Sequence, residues 1–507
     1  MELTSNLFLL CLPVLLAIYY LMPKRGQWCL LLAASWAWYL YADLRAGLFL
    51  LASTLITWAC ALWIGRIYQT EDAQADQKRR AKRVLLLGML ADLAILAVLK
   101  YANFVLQNLG AALHAEIPVL KLLLPLGISY YTFQTVSYLL DVFWRRAAPQ
   151  KNLFRYALFV SFFPQIAQGP IGRYGRLAPQ LYAPHAFDWE NLRVGVWRFV
   201  WGLFKKMVLA DWAGVFREAI FSSPDQYAGI AIFGVLLYTV ELYGNFSGGM
   251  DMVIGVAAMF GVELDENFRR PFFSGSVTEF WQRWHITLGT WMKDYVFIPL
   301  SMSKWMRALG RGAKKRFGRK TGRVLPLCVA NLIVFFLVGV WHGPTWGNIG
   351  WGLYNGVIIA SSNLLADFYL RAKTRLHIDS AGRPWRVFTV LRTFALMNLS
   401  WYFDCAASFG EAWRMIRYSV TQFRPAQFLT IAAGKAGLSY TPWALLTLCV
   451  GTALLFAVEL LQENGKLGTV PERMPRALQL LALLALVVSV PLLGPTSVAR
   501  GFIYAQF

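Results

Sequence analysis

The stretch Val329-Ala330-Asn331-Leu332-Ile333-Val334-Phe335-Phe336-Leu337-Val338-Gly339-Val340-Trp341-His342-Gly343-Pro344 decides which solvent this chain folds in. Together with the residues before it, Leu325–Trp341 is an apolar run without one charged side chain. That approaches the roughly 20 residues a helix needs to cross a bilayer. His342, at its end, is an ionisable group at membrane depth, which is costly and therefore marks a functional site by default. The alternative role for it is structural, a helix end anchored at the headgroups beside Trp341.

Comparable runs recur along the chain, among them Leu7–Met22, Leu48–Tyr68, Val84–Leu106, Leu120–Phe143, Tyr156–Pro170, Leu192–Val215, Tyr227–Phe246 and Leu478–Leu493. Several are short or broken by Gly and Pro, so the expectation is about ten to twelve crossings, with re-entrant or interfacial pieces between them. Composition agrees. Of 507 residues, 57% are hydrophobic and only 15% charged, with a mean hydropathy of +0.47. Soluble domains stay nearer half apolar and a quarter charged. Aromatics reach 15%, including 21 Trp, which suits side chains resting at membrane boundaries. The expected fold is all-α, a polytopic transmembrane helical bundle forming one domain over residues 1–507.

A net charge of +22 would suggest nucleic acid if it lay on one soluble face. It lies instead in short clusters between apolar runs. One runs from Lys304 to Arg323 with no acidic residue; another is Lys78, Arg79, Arg80, Lys82 and Arg83. Read as connections, both face the cytoplasm and meet anionic lipid, with the N-terminus outside, and no nucleic-acid partner is expected. Met1 to Asn6 carries no basic residue ahead of the first apolar run, so an uncleaved first span is expected. Cys11, Cys29, Cys60, Cys328, Cys405 and Cys449 form no C-x-x-C pair and read as small core hydrophobes.

Of five histidines, His114, His185 and His377 sit in loop-like or basic surroundings and read as solvated. His285 lies in Phe280-Trp281-Gln282-Arg283-Trp284-His285-Ile286-Thr287-Leu288, whose helical spacing places Trp281, Trp284 and Leu288 on one side of an interfacial or dipping helix. Neutral imidazole accepts a hydroxyl proton near neutral pH, so His342 and His285 suit general-base chemistry at oxygen. No G-x-S-x-G elbow or P-loop accompanies them, and no metal site is suggested. Gly248-Gly249, in Asn245-Phe246-Ser247-Gly248-Gly249-Met250-Asp251, reads as a helix break with Asn245 and Asp251 held inside the bundle.

Five segments in this order carry a resemblance. They are Leu124-Pro125-Leu126-Gly127-Ile128-Ser129-Tyr130-Tyr131-Thr132-Phe133-Gln134, Phe162-Phe163-Pro164-Gln165-Ile166-Ala167-Gln168-Gly169-Pro170-Ile171, Asn245-Phe246-Ser247-Gly248, Trp281-Gln282-Arg283-Trp284-His285-Ile286 and Gly339-Val340-Trp341-His342-Gly343, with Phe502-Ile503-Tyr504-Ala505-Gln506-Phe507 closing the chain. The chain resembles the membrane-bound O-acyltransferase superfamily in its bacterial branch, which serves alginate O-acetylation and teichoic-acid D-alanylation. The resemblance implies a bundle around a central funnel, with His342 as the catalytic histidine and His285 as the second. It further implies substrate contacts at Trp341, Arg283, Asn245 and Asp251. Gln282, Asn245 and Asn355 depart from the Arg, Asp and His common in relatives. No tightly bound cofactor is implied. Acetyl-CoA is the expected donor, a polysaccharide the acceptor, and a secreted or membrane-anchored acetyltransferase the partner, at a bacterial inner membrane. Chain length favours acetylation over D-alanyl transfer from a carrier-protein thioester; a transporter without acyl chemistry is the remaining alternative.

Overall fold

Hydrocarbon gives backbone N–H and C=O groups no water to bond, so spanning segments must satisfy them internally. In a computed structural model the chain is accordingly helical, and the one β pairing among the described residues is an isolated bridge between Phe268 and Trp284. The structure describes residues 3–222, 227–406, 408–428, 442–468, 474–495 and 501–502. Met1, Glu2 and the closing Ile503–Phe507 of the sequence reading lie outside them. Among the described residues, Leu44–Ile67, Gln74–Leu113, Lys304–His342, Pro442–Glu463 and Arg476–Leu493 are long and apolar enough to cross a bilayer; Asn6–Leu21 is a shorter apolar helix. The chain is an all-α, multi-pass membrane protein.

The residues form two compact units. The first comprises Met1–Leu203, Gly249–Glu266 and Gly501–Phe507, and the second Phe204–Gly248 and Asn267–Arg500. The core of the first gathers Leu31, Leu50, Ile64, Tyr138, Tyr156 and Phe159. Asp92 is buried among them on Gln74–Leu113 and accepts hydrogen bonds from the Ser53 and Thr135 hydroxyls, at 2.5 and 2.6 Å. In the second unit the buried Lys206 ammonium donates to Asp211 at 2.5 Å, a pairing that a charge at this depth requires.

Several expectations are corrected. The basic clusters are not loops. Lys78–Arg83 lies inside the helix Gln74–Leu113, and the Lys304–Arg323 cluster is helical too. The latter turns back at Gly318, whose φ of +87° suits glycine. A Cβ on Gly322 would stand 2.6 Å from the Lys314 Cβ, so the two arms of this hairpin pack closely. Lys and Arg are good helix formers, and the helix carries through Gly310 and Gly312 as far as Gly318. The helix Ala231–Met259 runs unbroken through Gly248-Gly249. There glycine serves contact, because a Cβ on Gly249 would lie 2.6 Å from Gln168 Nε2. Leu120–Phe143 is not one helix, since helix begins only at Ile128 after Gly127 at φ +70°. Tyr156–Pro170 is helical only within Leu153–Ser161. Leu192–Val215 widens into a π-helical turn at Phe204–Ala210. His185 is not simply solvated: its Nδ1 meets the Tyr19 hydroxyl at 2.9 Å and its N–H donates to Gln27 at 2.8 Å. Cys11, Cys29 and Cys449 are exposed, on faces of apolar helices where lipid is the solvent, and so are not core residues.

Candidate active site

The stretch around His285 is not one helix. Val277–Arg283 ends at Trp284, and Ile286–Met292 begins after His285, which adopts φ 48° and ψ 52°. A non-glycine residue in the left-handed region is held there by its surroundings. Here the surroundings are the extended segment 267–269. Arg269 N–H donates to the Arg283 carbonyl at 2.9 Å, and Ile286 N–H to the Asn267 carbonyl at 3.0 Å. That zipper brings the fully buried Asn267 side chain beside the imidazole.

Asn267 settles the tautomer. The Thr287 backbone N–H, which can only donate, and the Thr287 hydroxyl both donate to Asn267 Oδ1 at 3.0 Å. His285 Nδ1 stands 3.2 Å from the same oxygen and must also donate to it. The proton is on Nδ1 and the basic lone pair on Nε2. Burial, and next the neighbouring His342, hold the His285 pKa well below the ordinary imidazole range, so the ring is neutral.

His342 ends the helix Lys304–His342 and is buried. Gly343-Pro344-Thr345 turns the chain, and Thr345 caps Trp346–Leu364 by accepting from Asn348 N–H at 3.1 Å. The two helices meet at glycines: a Cβ on Gly352 would be 3.0 Å from the Gly339 Cα, and one on Gly339 would be 2.5 Å from the Asn348 carbonyl oxygen. The returning helix sets Trp351 edge-on to His342, with ring centroids 4.7 Å apart.

Trp341 joins the two histidines. Its ring centroid is 5.0 Å from that of His342 and 5.8 Å from that of His285. Phe246 closes His285 edge-on at 4.7 Å, which puts the buried Asn245 one residue away along that helix. The structure therefore gathers His342, His285 and Trp341 into one buried aromatic cluster holding two imidazoles. Arg283 is already engaged by Glu279 at 2.7 Å and Glu463 at 3.0 Å, and Arg270 shares Glu463 at 2.8 Å. Asp251 belongs to the first unit, where it accepts from Arg198 at 3.0 Å. Asn355 accepts from the Trp281 indole N–H at 3.1 Å and is fully buried. Asn267 and Trp351 escape sequence reasoning; Asn267 sits 18 residues from its partner in a segment without periodicity. Chemically, a neutral, oriented imidazole buried among aromatic rings can take a proton from a hydroxyl without solvent competing.

Comparison with known proteins adds one family match and three relatives. The model of the membrane-bound O-acyltransferase family matches residues 129–310. A probable alginate O-acetylase of Azotobacter vinelandii is 35% identical over 82% of this chain and 77% of its own length. A peptidoglycan O-acetyltransferase of Helicobacter pylori is 30% identical over 76% of this chain and 72% of its own, and a teichoic acid D-alanyltransferase of Bacillus subtilis 31% over 55% and 67%.

Proposed function

Because the chain belongs to the membrane-bound O-acyltransferase family and is an acyltransferase, we propose that it takes acetyl groups from acetyl-CoA on the cytoplasmic side of a bacterial inner membrane and passes them towards an extracellular or periplasmic polysaccharide. The observation that carries this reading is the pair of buried histidines packed against the Trp341 indole. The acceptor hydroxyl oxygen attacks the thioester carbonyl while His342 takes its proton. The carbon–sulfur bond then breaks, and the leaving sulfur departs with that proton as a thiol. His285, with its lone pair on Nε2, steadies the hydroxyl or the proton in transit. Two relatives named for O-acetylation, of alginate and of peptidoglycan, support acetyl as the group moved. Likeness to the D-alanyltransferase reaches only 55% of the chain. A secreted or membrane-anchored acetyltransferase completes the transfer to polymer.

The test is purified protein incubated with labelled acetyl-CoA, alongside His342→Ala at matched abundance. General-base loss costs about 10²–10⁴-fold, so the variant should cleave no detectable thioester while remaining folded. Unchanged cleavage per molecule would refute His342 as the base. Activity appearing only with a D-alanyl carrier protein would move the donor to that class.

A further inference from the structure

Within the second unit, residues 236–243 and the helices Arg383–Cys405 and Pro442–Glu463 enclose a cavity of about 860 Å³. Its inner wall includes Phe272, Phe273, Phe394 and Leu455. Leu236, Val387, Leu391, Phe456 and Leu460 also line it, and all five are exposed on the protein surface. In a chain whose exposed apolar faces meet lipid, an opening with such a rim faces hydrocarbon.

One end is charged. Arg383 and Arg386 occupy the first turn of Arg383–Cys405 and line the cavity there. Arg386 lies 3.6 Å from Glu463, but Arg270 and Arg283 already occupy that carboxylate at 2.8 and 3.0 Å. No carboxylate among the described residues pairs with Arg383. The end therefore carries positive charge that its own acidic groups do not neutralise.

We propose that this cavity binds one anionic phospholipid of the surrounding membrane, with an acyl chain among the phenylalanines and the phosphate on Arg383 and Arg386. The walls favour a lipid over the pantetheine arm of a coenzyme. That arm carries two amides. Along its apolar stretch, the Thr239 hydroxyl already donates to Asn398 and the Tyr243 hydroxyl to Glu459, which leaves the Thr452 hydroxyl there; Glu463, Asn464 and the two arginines complete the polar lining. A methylene chain needs no partner, and each buried CH₂ adds about 0.8 kcal/mol.

The site is independent of the acyl-transfer reading and is tested apart from it. Full-length protein in detergent is equilibrated with equal amounts of phosphatidylglycerol and phosphatidylcholine of identical chains, and retained lipid is weighed by native mass spectrometry. One phosphatidylglycerol per chain should be retained, preferred about thirtyfold, the factor that two arginines supply near an anionic headgroup. Arg383→Gln with Arg386→Gln should keep one lipid but lose the preference. Val390→Trp, which fills the cavity from its wall, should lose both lipids. Added coenzyme A should leave the bound lipid in place. Equal retention of the two lipids by the unaltered protein overturns the proposal, as does an undiminished preference in the arginine variant or undiminished retention in Val390→Trp. Displacement by coenzyme A would also overturn it and give the cavity to the donor. The competition on unaltered protein decides even if a variant fails to fold.

Discussion

Asn267 offers the sharpest perturbation of the site, because one buried oxygen takes three hydrogen bonds from Thr287 N–H, the Thr287 hydroxyl and His285 Nδ1. Asn267→Ala leaves three buried donors without an acceptor. At about 1–3 kcal/mol for each orphaned donor, with partial relaxation, the loss of stability is roughly 3–5 kcal/mol. Asn267→Asp separates geometry from stability, since a carboxylate oxygen accepts the same three bonds and adds a negative charge 3.2 Å from the imidazole. The sign follows from His285 being held neutral by burial. A carboxylate partner favours the imidazolium, so the pKa rises, and the neutral His285 ring that steadies the hydroxyl is lost at a higher pH than before. The acid limb of the activity profile should move to higher pH. The assay is labelled acetyl transfer per folded molecule across pH, with abundance checked by fluorescence-detected size exclusion. If the Asn267→Asp profile overlays that of the unaltered protein, and Asn267→Ala retains full activity per molecule, Asn267 does not set the state of His285 and the tautomer argument fails.

Gly339→Leu should force the helices Lys304–His342 and Trp346–Leu364 apart, because even a Cβ would stand 2.5 Å from the Asn348 carbonyl oxygen; an overpacking cost of about 1–3 kcal/mol should appear as a lower unfolding temperature, with activity falling further than abundance. Glu463→Gln removes the carboxylate shared by Arg270, Arg283 and Arg386. Those arginines are partly exposed, so roughly 2–4 kcal/mol is expected, below the figure for a fully buried pair, and denaturation in detergent measures it. A cysteine near Lys315, in protein freed of its native cysteines, should resist impermeant thiol reagents added to intact cells, whereas one near Ser5 should label. The reverse pattern would turn the protein over in the membrane and bring the donor from the other side.

The sequence alone determined the solvent, the helical class and the histidines worth testing. Hydropathy is a sum over local side chains, so the apolar run ending at Trp341 announces a membrane helix wherever it packs. An ionisable residue at the end of that run stands out for the same reason. What tertiary structure decided is everything that depends on a partner distant in the chain. Helical spacing from Trp281 to Leu288 predicted a continuous helix, yet the zipper to 267–269 holds His285 in a left-handed conformation that breaks it. Gly248-Gly249 read as a break because glycine is a weak helix former, whereas in the bundle a missing Cβ lets Gln168 approach and the helix continues. Arg283 pairs with Glu463, 180 residues away, a partner that no local pattern announces. Local terms of a fraction of a kcal/mol per residue set these expectations, and buried hydrogen bonds and ion pairs between distant segments, each worth more, overrode them.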